Sequence, residues 1–306
     1  MRISVVIPIL NEDSLIEELV KRVSNVTSEI SQDYEIIVVD DGSTDSSWKK
    51  LGEVGGKNSK VKGIKFSRNF GHHYALTAGL EVSSGEWVVV MDGDMQDRPE
   101  VIPQLYKKAQ EGFDIVFVSR TDRPESYVYR ISQRIFYSML KFLSGIKFDN
   151  SQANFSIINR KVVEAFKQFP ENARFYGSTI LWLGYKRTSI KASHGARYSG
   201  KPSYTLRKRF KLATDIILSF SDRPLKFAIS LGLLMSSFSF MMLLWVIWRA
   251  INHGFTSVGW ASLISTTLLT GGIILVVLGV LGVYIGGVFR EVKSRPLYLV
   301  DEKINL

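Results

Sequence analysis

Two long stretches without a charged side chain constrain this chain more than any other feature. Residues 227–248 contain no Asp, Glu, Lys or Arg, and neither do residues 250–289. A helix needs roughly 20 apolar residues to cross a bilayer core about 30 Å thick. We therefore predict a two-helix transmembrane domain over 225–289, with spans at 227–248 and at about 260–289. The alternative is a pair of buried helices in a soluble core, where charge-free runs of this length are rare.

The positive charge predicts how these spans are oriented. The chain carries 39 Lys plus Arg against 29 Asp plus Glu, a formal net charge of +10. Basic residues lie before the first span and after the second, whereas the turn between the spans carries only Arg249. Since cytoplasmic flanks are enriched in Lys and Arg, we expect both termini, including a C-terminal tail over 290–306, to be cytoplasmic. Basic residues beside apolar spans indicate membrane lipids as a partner and argue against nucleic acid.

The residues before the spans have the pattern of an α/β domain. Runs rich in β-branched residues alternate with helical spacing, which implies right-handed crossovers and a mostly parallel sheet. The chain has no cysteine, which excludes disulfides and zinc–thiolate sites. We predict this domain over 1–204, with a helix over 13–26 and strands at 3–9, 34–39, 61–66, 86–91 and 115–119.

Two amphipathic segments connect this domain to the membrane in the predicted arrangement. Residues 130–148 and 205–224 combine apolar positions at helical spacing with Arg and Lys. Helices of this kind can lie in the plane of the membrane interface. We expect an interface helix over about 130–148 and a juxtamembrane helix over 205–224, with packing on the sheet as the open alternative for each.

Polar residues follow three of the predicted strands at the points where those strands end. Pro8 lies near the end of the first strand and Glu12 follows it, Asp40 and Asp41 follow the second strand, and Asp92 begins a turn after the fourth. Ligands of open parallel sheets bind outside the carboxyl ends of the strands. The sequence therefore predicts one pocket at this edge.

The acidic turn after the fourth strand predicts a metal site. Asp92 and Asp94 flank Gly93, and Gln96 could add a neutral oxygen. Carboxylates on a tight turn can hold a hard divalent cation whose other ligands are phosphate oxygens and water. We expect Mg²⁺ or Mn²⁺ here, together with the diphosphate of a sugar nucleotide.

Five segments in order along the chain carry a resemblance to a known family. They are 4–12 (SVVIPILNE), 38–45 (VVDDGSTD), 67–80 (SRNFGHHYALTAGL), 90–100 (VMDGDMQDRPE) and 194–204 (HGARYSGKPSY), and the two spans follow them. The chain resembles the membrane-anchored family-2 glycosyltransferases that act on polyisoprenyl phosphates, such as dolichol-phosphate mannose synthases and bacterial undecaprenyl-phosphate glucosyltransferases. The resemblance implies a GT-A-type (Rossmann-like) fold, followed by amphipathic interface helices and two transmembrane helices. It also implies inverting transfer of a sugar from a nucleoside diphosphate sugar to undecaprenyl or dolichyl phosphate at the cytoplasmic membrane face.

The resemblance also implies roles for particular residues. Asp92 and Asp94 would serve catalysis through the metal, which Gln96 would help to hold. The donor nucleotide would contact Pro8, Glu12, Asp40 and Asp41, with Asp41 at the base and with Arg197 and Lys201 closing over the diphosphate. The acceptor phosphate would bind Arg120, Arg134 and Ser138.

The chain departs from the family at Asn154, where many relatives carry Asp. An amide cannot act as a general base, so Asp149 could substitute or the reaction needs no base. We favour the second reading because a phosphate acceptor is largely ionised at neutral pH. Asn154 would then contact the sugar or the acceptor.

The same sequence features also give expectations about partners and alternative functions. We expect a prokaryotic plasma-membrane protein, with a homo-oligomer and a flippase as further partners. Alternatives are a transferase with another lipid or glycan acceptor, and a non-catalytic membrane subunit that binds sugar nucleotides. A transporter is disfavoured because the spans lack buried ionisable groups.

Overall fold

The structure is a computed structural model, and it describes residues 2–120, 152–169, 175–192, 223–253 and 259–306. The described residues fall into two compact units. The first holds residues 2–120, 152–169, 175–192 and Arg295–Leu306, and the second holds residues 223–253 and 259–294.

The first unit is built on an eight-stranded mixed sheet. Its strand order is β7-β5-β6-β4-β1-β2-β3-β8. The pairs β1–β2, β1–β4, β2–β3 and β5–β7 are parallel, whereas β6 runs antiparallel between β4 and β5. The strands are β1 (Ile3–Ile9), β2 (Tyr34–Asp40), β3 (Val61–Phe66), β4 (Trp87–Val90), β5 (Ile115–Arg120), β6 (Gln152–Asn159), β7 (Arg187–Ala192) and β8 (Val300–Ile304).

Helices cover both faces of the sheet, and strand periodicity decides which side chains meet them. Ile3, Val5 and Ile7 of β1 join a core cluster with the helices on one face, whereas Val6 joins a second cluster on the other. Because successive side chains of a strand point to opposite faces, the continuous apolar run of β1 serves both cores. The first cluster includes α1 (Ile16–Ile30), α2 (Ser47–Lys57) and α4 (Ile102–Ala109), and the second includes α3 (His72–Val82), α5 (Arg160–Lys167) and α6 (Tyr176–Trp182).

The second unit contains two long apolar helices. These are α7 (Arg223–His253) and α8 (Trp260–Val292). Each contains a window long and apolar enough to cross a membrane, Leu225–Met242 with mean hydropathy 1.6 and Leu269–Phe289 with 2.5. α7 runs past both ends of the predicted span by a few residues, and α8 runs past only the C-terminal end of its span. The expected interface helix over 130–148 and residues 205–222 of the juxtamembrane helix lie outside the described residues, and residues 223–224 begin α7.

The C-terminal residues return to the sheet. Only a tail was predicted over 290–306, whereas in the structure α8 continues to Val292 and residues Val300–Ile304 form β8. This strand pairs antiparallel with β3 at the edge of the sheet.

A buried carboxylate links three strands near the amino-terminal ends of β1, β2 and β3. This end of the sheet is opposite the loops that carry Asp40, Asp41, Asp92 and Asp94. Glu35 on β2 is fully buried and accepts hydrogen bonds from Ser4 Oγ at 2.6 Å and Ser84 N at 2.7 Å, and Lys62 Nζ lies 2.7 Å away. Burial alone would raise the pKa of Glu35, but Lys62 and these hydrogen bonds lower it to about 2 from an ordinary value of 4.5.

This low pKa predicts a dependence of stability on pH. A depressed carboxyl pKa stabilises the fold fully above pH 4.5, and this contribution is lost as the pH falls toward 2. Glu35→Gln is expected to lower the free energy of unfolding at pH 7 by on the order of 3 kcal/mol, since one pKa unit corresponds to about 1.4 kcal/mol. Unfolding of the full-length chain between pH 7 and 3 measures this, with Glu53→Gln on the exposed face of α2 as control. Equal pH slopes for Glu35→Gln and the wild type would contradict it.

Candidate active site

The carboxyl ends of the three central parallel strands bring the predicted polar residues to one edge. Strands β4, β1 and β2 are neighbours in the sheet, so the loops that follow them are neighbours too. Gly93 lies so close to the end of β1 that an added Cβ would be 2.7 Å from Ile9 Cγ2 and 3.0 Å from Pro8 O. The structure therefore places Pro8 against the turn that carries Asp92 and Asp94.

The loops after β1 and β2 are joined by hydrogen bonds. Asn11, in the left-handed region with φ of 56°, donates from its backbone N to Ser43 Oγ at 2.9 Å and accepts from Thr44 N at 2.8 Å. The backbone N of Glu12 donates to Ser47 Oγ at 2.9 Å. These contacts fix Glu12 beside the loop that begins at Asp40.

Asp41 organises the loop that follows β3. Its Oδ1 accepts hydrogen bonds from Phe70 N at 2.7 Å and Gly71 N at 3.1 Å, and its Oδ2 accepts from Gly71 N at 2.9 Å. Burial raises the pKa of Asp41, and these N–H groups oppose the rise. The carboxylate thus holds the loop in place, and its contact with a nucleotide base stays a prediction.

Asp40 is fully buried beside Asp41. Its Oδ1 accepts a hydrogen bond from Ser43 N at 2.8 Å, and its Oδ2 has no hydrogen-bond partner in the described part of the chain. Burial raises the pKa of Asp40, while hydrogen bonds from Ser43 and the charge of Lys65 lower it. Asp40 thereby shapes the loop that carries Asp41 and Gly42.

The turn after β4 presents two carboxylates. Its shape is held by hydrogen bonds from Gln96 N to Asp94 Oδ1 at 3.1 Å and from Asp92 N to Asp97 Oδ2 at 3.1 Å. Met95 supplies the left-handed residue of the turn, with φ of 61°. The three predicted metal ligands, Asp92, Asp94 and Gln96, lie on this turn, and their binding of a metal stays a prediction.

The carboxylate oxygens of this turn are candidate ligands for a divalent cation. Among the described residues no group of three or more His, Asp or Glu side chains is arranged to hold a metal. However, Oδ1 of Asp92 accepts no hydrogen bond within those residues, and His72 Nε2 lies 3.4 Å from it. Two carboxylates, one with such an oxygen, fit a hard cation that takes its other ligands from phosphate and water.

A histidine links this turn to Asn154. His72, at the start of α3, places Nε2 3.4 Å from Asp92 Oδ1 and 3.3 Å from Asn154 Nδ2. Asn154 lies on β6, which pairs antiparallel with β4 and so carries this amide toward the acidic turn. His72 follows Gly71 in the segment 67–80 that carries the family resemblance, but its contact with Asn154 spans 82 residues of sequence.

The neighbouring histidine has a different environment. Burial lowers the pKa of His73 to about 3, so its ring is neutral, and it packs edge-on against His72 and Phe175. Ser156 Oγ donates to the backbone O of Asn154 at 2.8 Å and lies 2.8 Å from the Tyr176 hydroxyl, and burial raises the pKa of Tyr176. Ser156 thus connects the backbone at Asn154 to the buried Tyr176.

Several of the predicted site residues have no described side chain. Five of them lie outside the described residues, namely Arg134, Ser138, Asp149, Arg197 and Lys201. Arg120 is the last residue of β5, where only its backbone position is described. Their roles at the acceptor and the diphosphate stay predictions.

An α/β sheet whose acidic loops meet at the carboxyl ends of its central strands is the architecture of a GT-A-type glycosyltransferase. Residues 4–166 match the model of the protein family described as "Glycosyl transferase family 2". The chain belongs to this family, and it is therefore an enzyme of the glycosyltransferase class.

Relatives share the whole length of the chain. It is 37% identical to an uncharacterized glycosyltransferase, YkcC, of Bacillus subtilis (strain 168), over 99% of this chain and 94% of that protein. It is 34% identical to the SfII prophage-derived bactoprenol glucosyl transferase of Shigella flexneri, over 99% of this chain and 98% of that protein. The similarity thus extends through the two apolar helices to β8.

The fold is also found in a solved structure. Glucosyl-3-phosphoglycerate synthase from Mycobacterium tuberculosis, crystallised with Mn²⁺, uridine diphosphate and phosphoglyceric acid, has a TM-score of 0.52 and 22% identity. The match covers 71% of this chain and 76% of that one. This likeness shows the GT-A fold.

Proposed function

We propose that the chain transfers a sugar from a nucleoside diphosphate sugar to a polyprenyl phosphate at the cytoplasmic face of a prokaryotic plasma membrane. The observation that carries this proposal is that one chain contains both the acidic turn at Asp92–Asp94 and two long apolar helices. The full-length similarity to a bactoprenol glucosyl transferase supports it, because bactoprenol is a polyprenyl lipid.

The donor half of the proposal places the diphosphate against the turn after β4. Asp92 and Asp94, with Gln96, would hold Mg²⁺ or Mn²⁺, and the bound ion would supply positive charge that stabilises the departing diphosphate. The nucleotide would bind beside this turn, against Pro8, Glu12, Asp40 and Asp41. The M. tuberculosis synthase was crystallised with Mn²⁺ and uridine diphosphate, which supports this kind of donor.

The acceptor half assigns the nucleophile to the lipid phosphate. A phosphate oxygen attacks the anomeric carbon as the bond to the diphosphate breaks, so that the configuration inverts and the nucleoside diphosphate leaves. The phosphate has largely lost its proton at pH 7, so no side chain has to remove one. Catalysis then depends on positioning and on stabilisation of the leaving group, and Asn154 needs only to bind and orient.

The apolar helices would keep this chemistry at the membrane. Apolar side chains along α7 and α8 are largely exposed, among them Leu234 at 68% and Leu275 at 70%. In lipid such faces are solvated by acyl chains. The basic flanks of the helices would hold both termini in the cytoplasm. If the lipid-linked sugar made on the cytoplasmic side is used on the other side of the membrane, a flippase has to move it across. The small residues of α8 are compatible with close helix packing in a homo-oligomer.

The proposal is tested by supplying donors and acceptors to the purified full-length chain. A panel of nucleoside diphosphate sugars is combined with undecaprenyl or dolichyl phosphate, and product configuration is read by NMR. We expect one donor to give an inverted lipid-phosphate sugar. Transfer only to another lipid or to a glycan would favour the alternative acceptor, and nucleotide binding without any transfer would favour the non-catalytic subunit.

Asn154 gives a specific prediction about the missing base. Asn154→Ala is expected to lower kcat by about tenfold or less, because one hydrogen bond is worth about 0.5–1.5 kcal/mol. Asn154→Asp is the matched variant, and it should not raise kcat, since no proton has to be removed. Initial rates with saturating donor and acceptor measure both. A large gain in Asn154→Asp, or a loss of a thousandfold in Asn154→Ala, would show that this position has a direct chemical role.

A further inference from the structure

The terminal segment (Arg295–Leu306) completes the sheet next to β3. Its strand β8 pairs Ile304 with Gly63 and Glu302 with Lys65. An added Cβ on Gly63 would be 3.0 Å from Ile304 Cδ1, so the side chain of Ile304 packs directly on the β3 backbone. Asn305 Nδ2 also donates to Val61 O at 2.8 Å. These contacts anchor the segment along β3.

The same segment contacts three consecutive residues where β3 ends. Lys65 Nζ lies 2.6 Å from Glu302 Oε1. The ring of Phe66 stacks on Tyr298 with centroids 4.7 Å apart and an interplanar angle of 19°. The backbone N of Ser67 donates to Leu299 O at 3.1 Å. The terminal segment thus reaches the first residue of the loop that follows β3.

This loop is the one that Asp41 holds. Phe66 packs edge-on against Phe70, with centroids 5.7 Å apart. The backbone N of Phe70 and that of Gly71 donate to the carboxylate of Asp41. On the neighbouring strand, Lys65 is the register partner of Asp40. A continuous path of contacts therefore leads from Tyr298 to the two aspartates beside the candidate donor pocket.

We propose that the terminal segment is a positioning element of the donor site. Through Tyr298 and Leu299 it fixes the start of the loop 67–71, so that the N–H groups of Phe70 and Gly71 meet Asp41 in one geometry. A strand that only covered a sheet edge would need contacts along β3 but none with the loop. The inference rests on the proposed function in one respect, namely that this edge binds the nucleotide sugar.

The test compares Tyr298→Ala with two matched variants of the full-length chain. Tyr298→Phe keeps the stacked ring and loses the hydroxyl, which contacts Glu81. Lys303→Ala changes an exposed side chain of β8 away from the loop. The readouts are amide hydrogen exchange of a peptide covering 67–74, and kcat and KM for the nucleotide sugar that the wild type uses.

We expect exchange over 67–74 to be about tenfold faster in Tyr298→Ala, because loss of packing allows local opening. The KM for the donor should rise about threefold to tenfold, the range that corresponds to one lost aromatic pair, while kcat changes less than twofold. Tyr298→Phe and Lys303→Ala should behave as the wild type.

Two outcomes would overturn the proposal. One is unchanged exchange over 67–74 in Tyr298→Ala. The other is faster exchange over the whole sheet with an unchanged KM, which would mean that the segment only stabilises the fold. If the wild type turned over no nucleotide sugar, the proposed function would fail, whereas the exchange comparison would still decide whether the segment positions the loop.

Discussion

Asp94→Asn is expected to lower kcat by about a thousandfold or more, while the chain stays folded. A divalent ion contributes several kcal/mol to stabilising a leaving group, and each 1.36 kcal/mol is a factor of ten in rate. Asn is nearly isosteric with Asp and keeps an oxygen that can accept the hydrogen bond that Gln96 N now donates to Asp94 Oδ1. The turn therefore keeps its shape and loses one anionic ligand.

The measurement for Asp94→Asn combines steady-state kinetics with calorimetry of Mn²⁺ and uridine diphosphate binding. Asp33→Asn is the control, because the exposed side chain of Asp33 lies at the other end of the parallel strands, where it pairs with Arg2 Nε at 3.6 Å on the surface. Weaker binding of the metal–nucleotide pair and a lost rate are expected for Asp94→Asn alone. Full activity in Asp94→Asn would remove the metal role from this turn.

Gly42→Ala is the second substitution with a large expected effect. Gly42 has φ of +74°, and an added Cβ would be 2.4 Å from Arg68 C and 2.6 Å from Asn69 N. The left-handed conformation alone costs a non-glycine residue roughly 1–2 kcal/mol, and the clash is with backbone that cannot rotate away. The loops after β2 and β3 must therefore separate, which displaces Asp41 from Phe70 and Gly71.

For Gly42→Ala we expect kcat/KM to fall by on the order of a hundredfold, the size of effect that a displacement of about 1 Å can have. The free energy of unfolding should fall by about 2 kcal/mol or more. Gly52→Ala is the matched control, because Gly52 lies on helix α2 with nothing within 4 Å of an added Cβ. Equal activity of the two variants would show that the close contact between these loops is unimportant.

Periodicity and β-branching predicted the parallel centre of the sheet closely. β1 and β3 have the predicted bounds. β2 ends one residue later than predicted, and β4 is one residue shorter than predicted at each end. These strands are buried on both faces, so their apolar runs are continuous and easy to recognise. The acidic loops follow from them, because parallel strands deliver their carboxyl ends to one edge.

The edges of the sheet were not predictable in the same way. β7 (RTSIKA) and β8 (VDEKI) have few apolar residues and are largely exposed. Such strands form because a partner strand offers unpaired N–H and C=O groups, and that partner is more than 60 residues away along the chain. Only Asn154 of β6 was singled out from the sequence, and the antiparallel placement of this strand between β4 and β5 depends on tertiary pairing.

The candidate site, like the sheet, could be predicted from the sequence only in part. The carboxylates of the turn after β4 could be predicted because residues near in sequence share one turn. His72 could not, because its contacts with Asp92 and Asn154 join three elements that only the folded sheet brings together. The role of Tyr298 at the donor loop had no local signal either, since the stacked ring of Phe66 lies 232 residues earlier in the chain.

The most direct test of the central claim is the transfer of radiolabelled sugar to undecaprenyl phosphate by the full-length chain, before and after chelation of divalent ions. With the donor that the chain uses, we expect label to enter the organic phase, to stop entering after EDTA, and to resume when Mn²⁺ or Mg²⁺ is added back. Label that enters the organic phase equally well in EDTA, or that passes only to a water-soluble acceptor, would contradict the account.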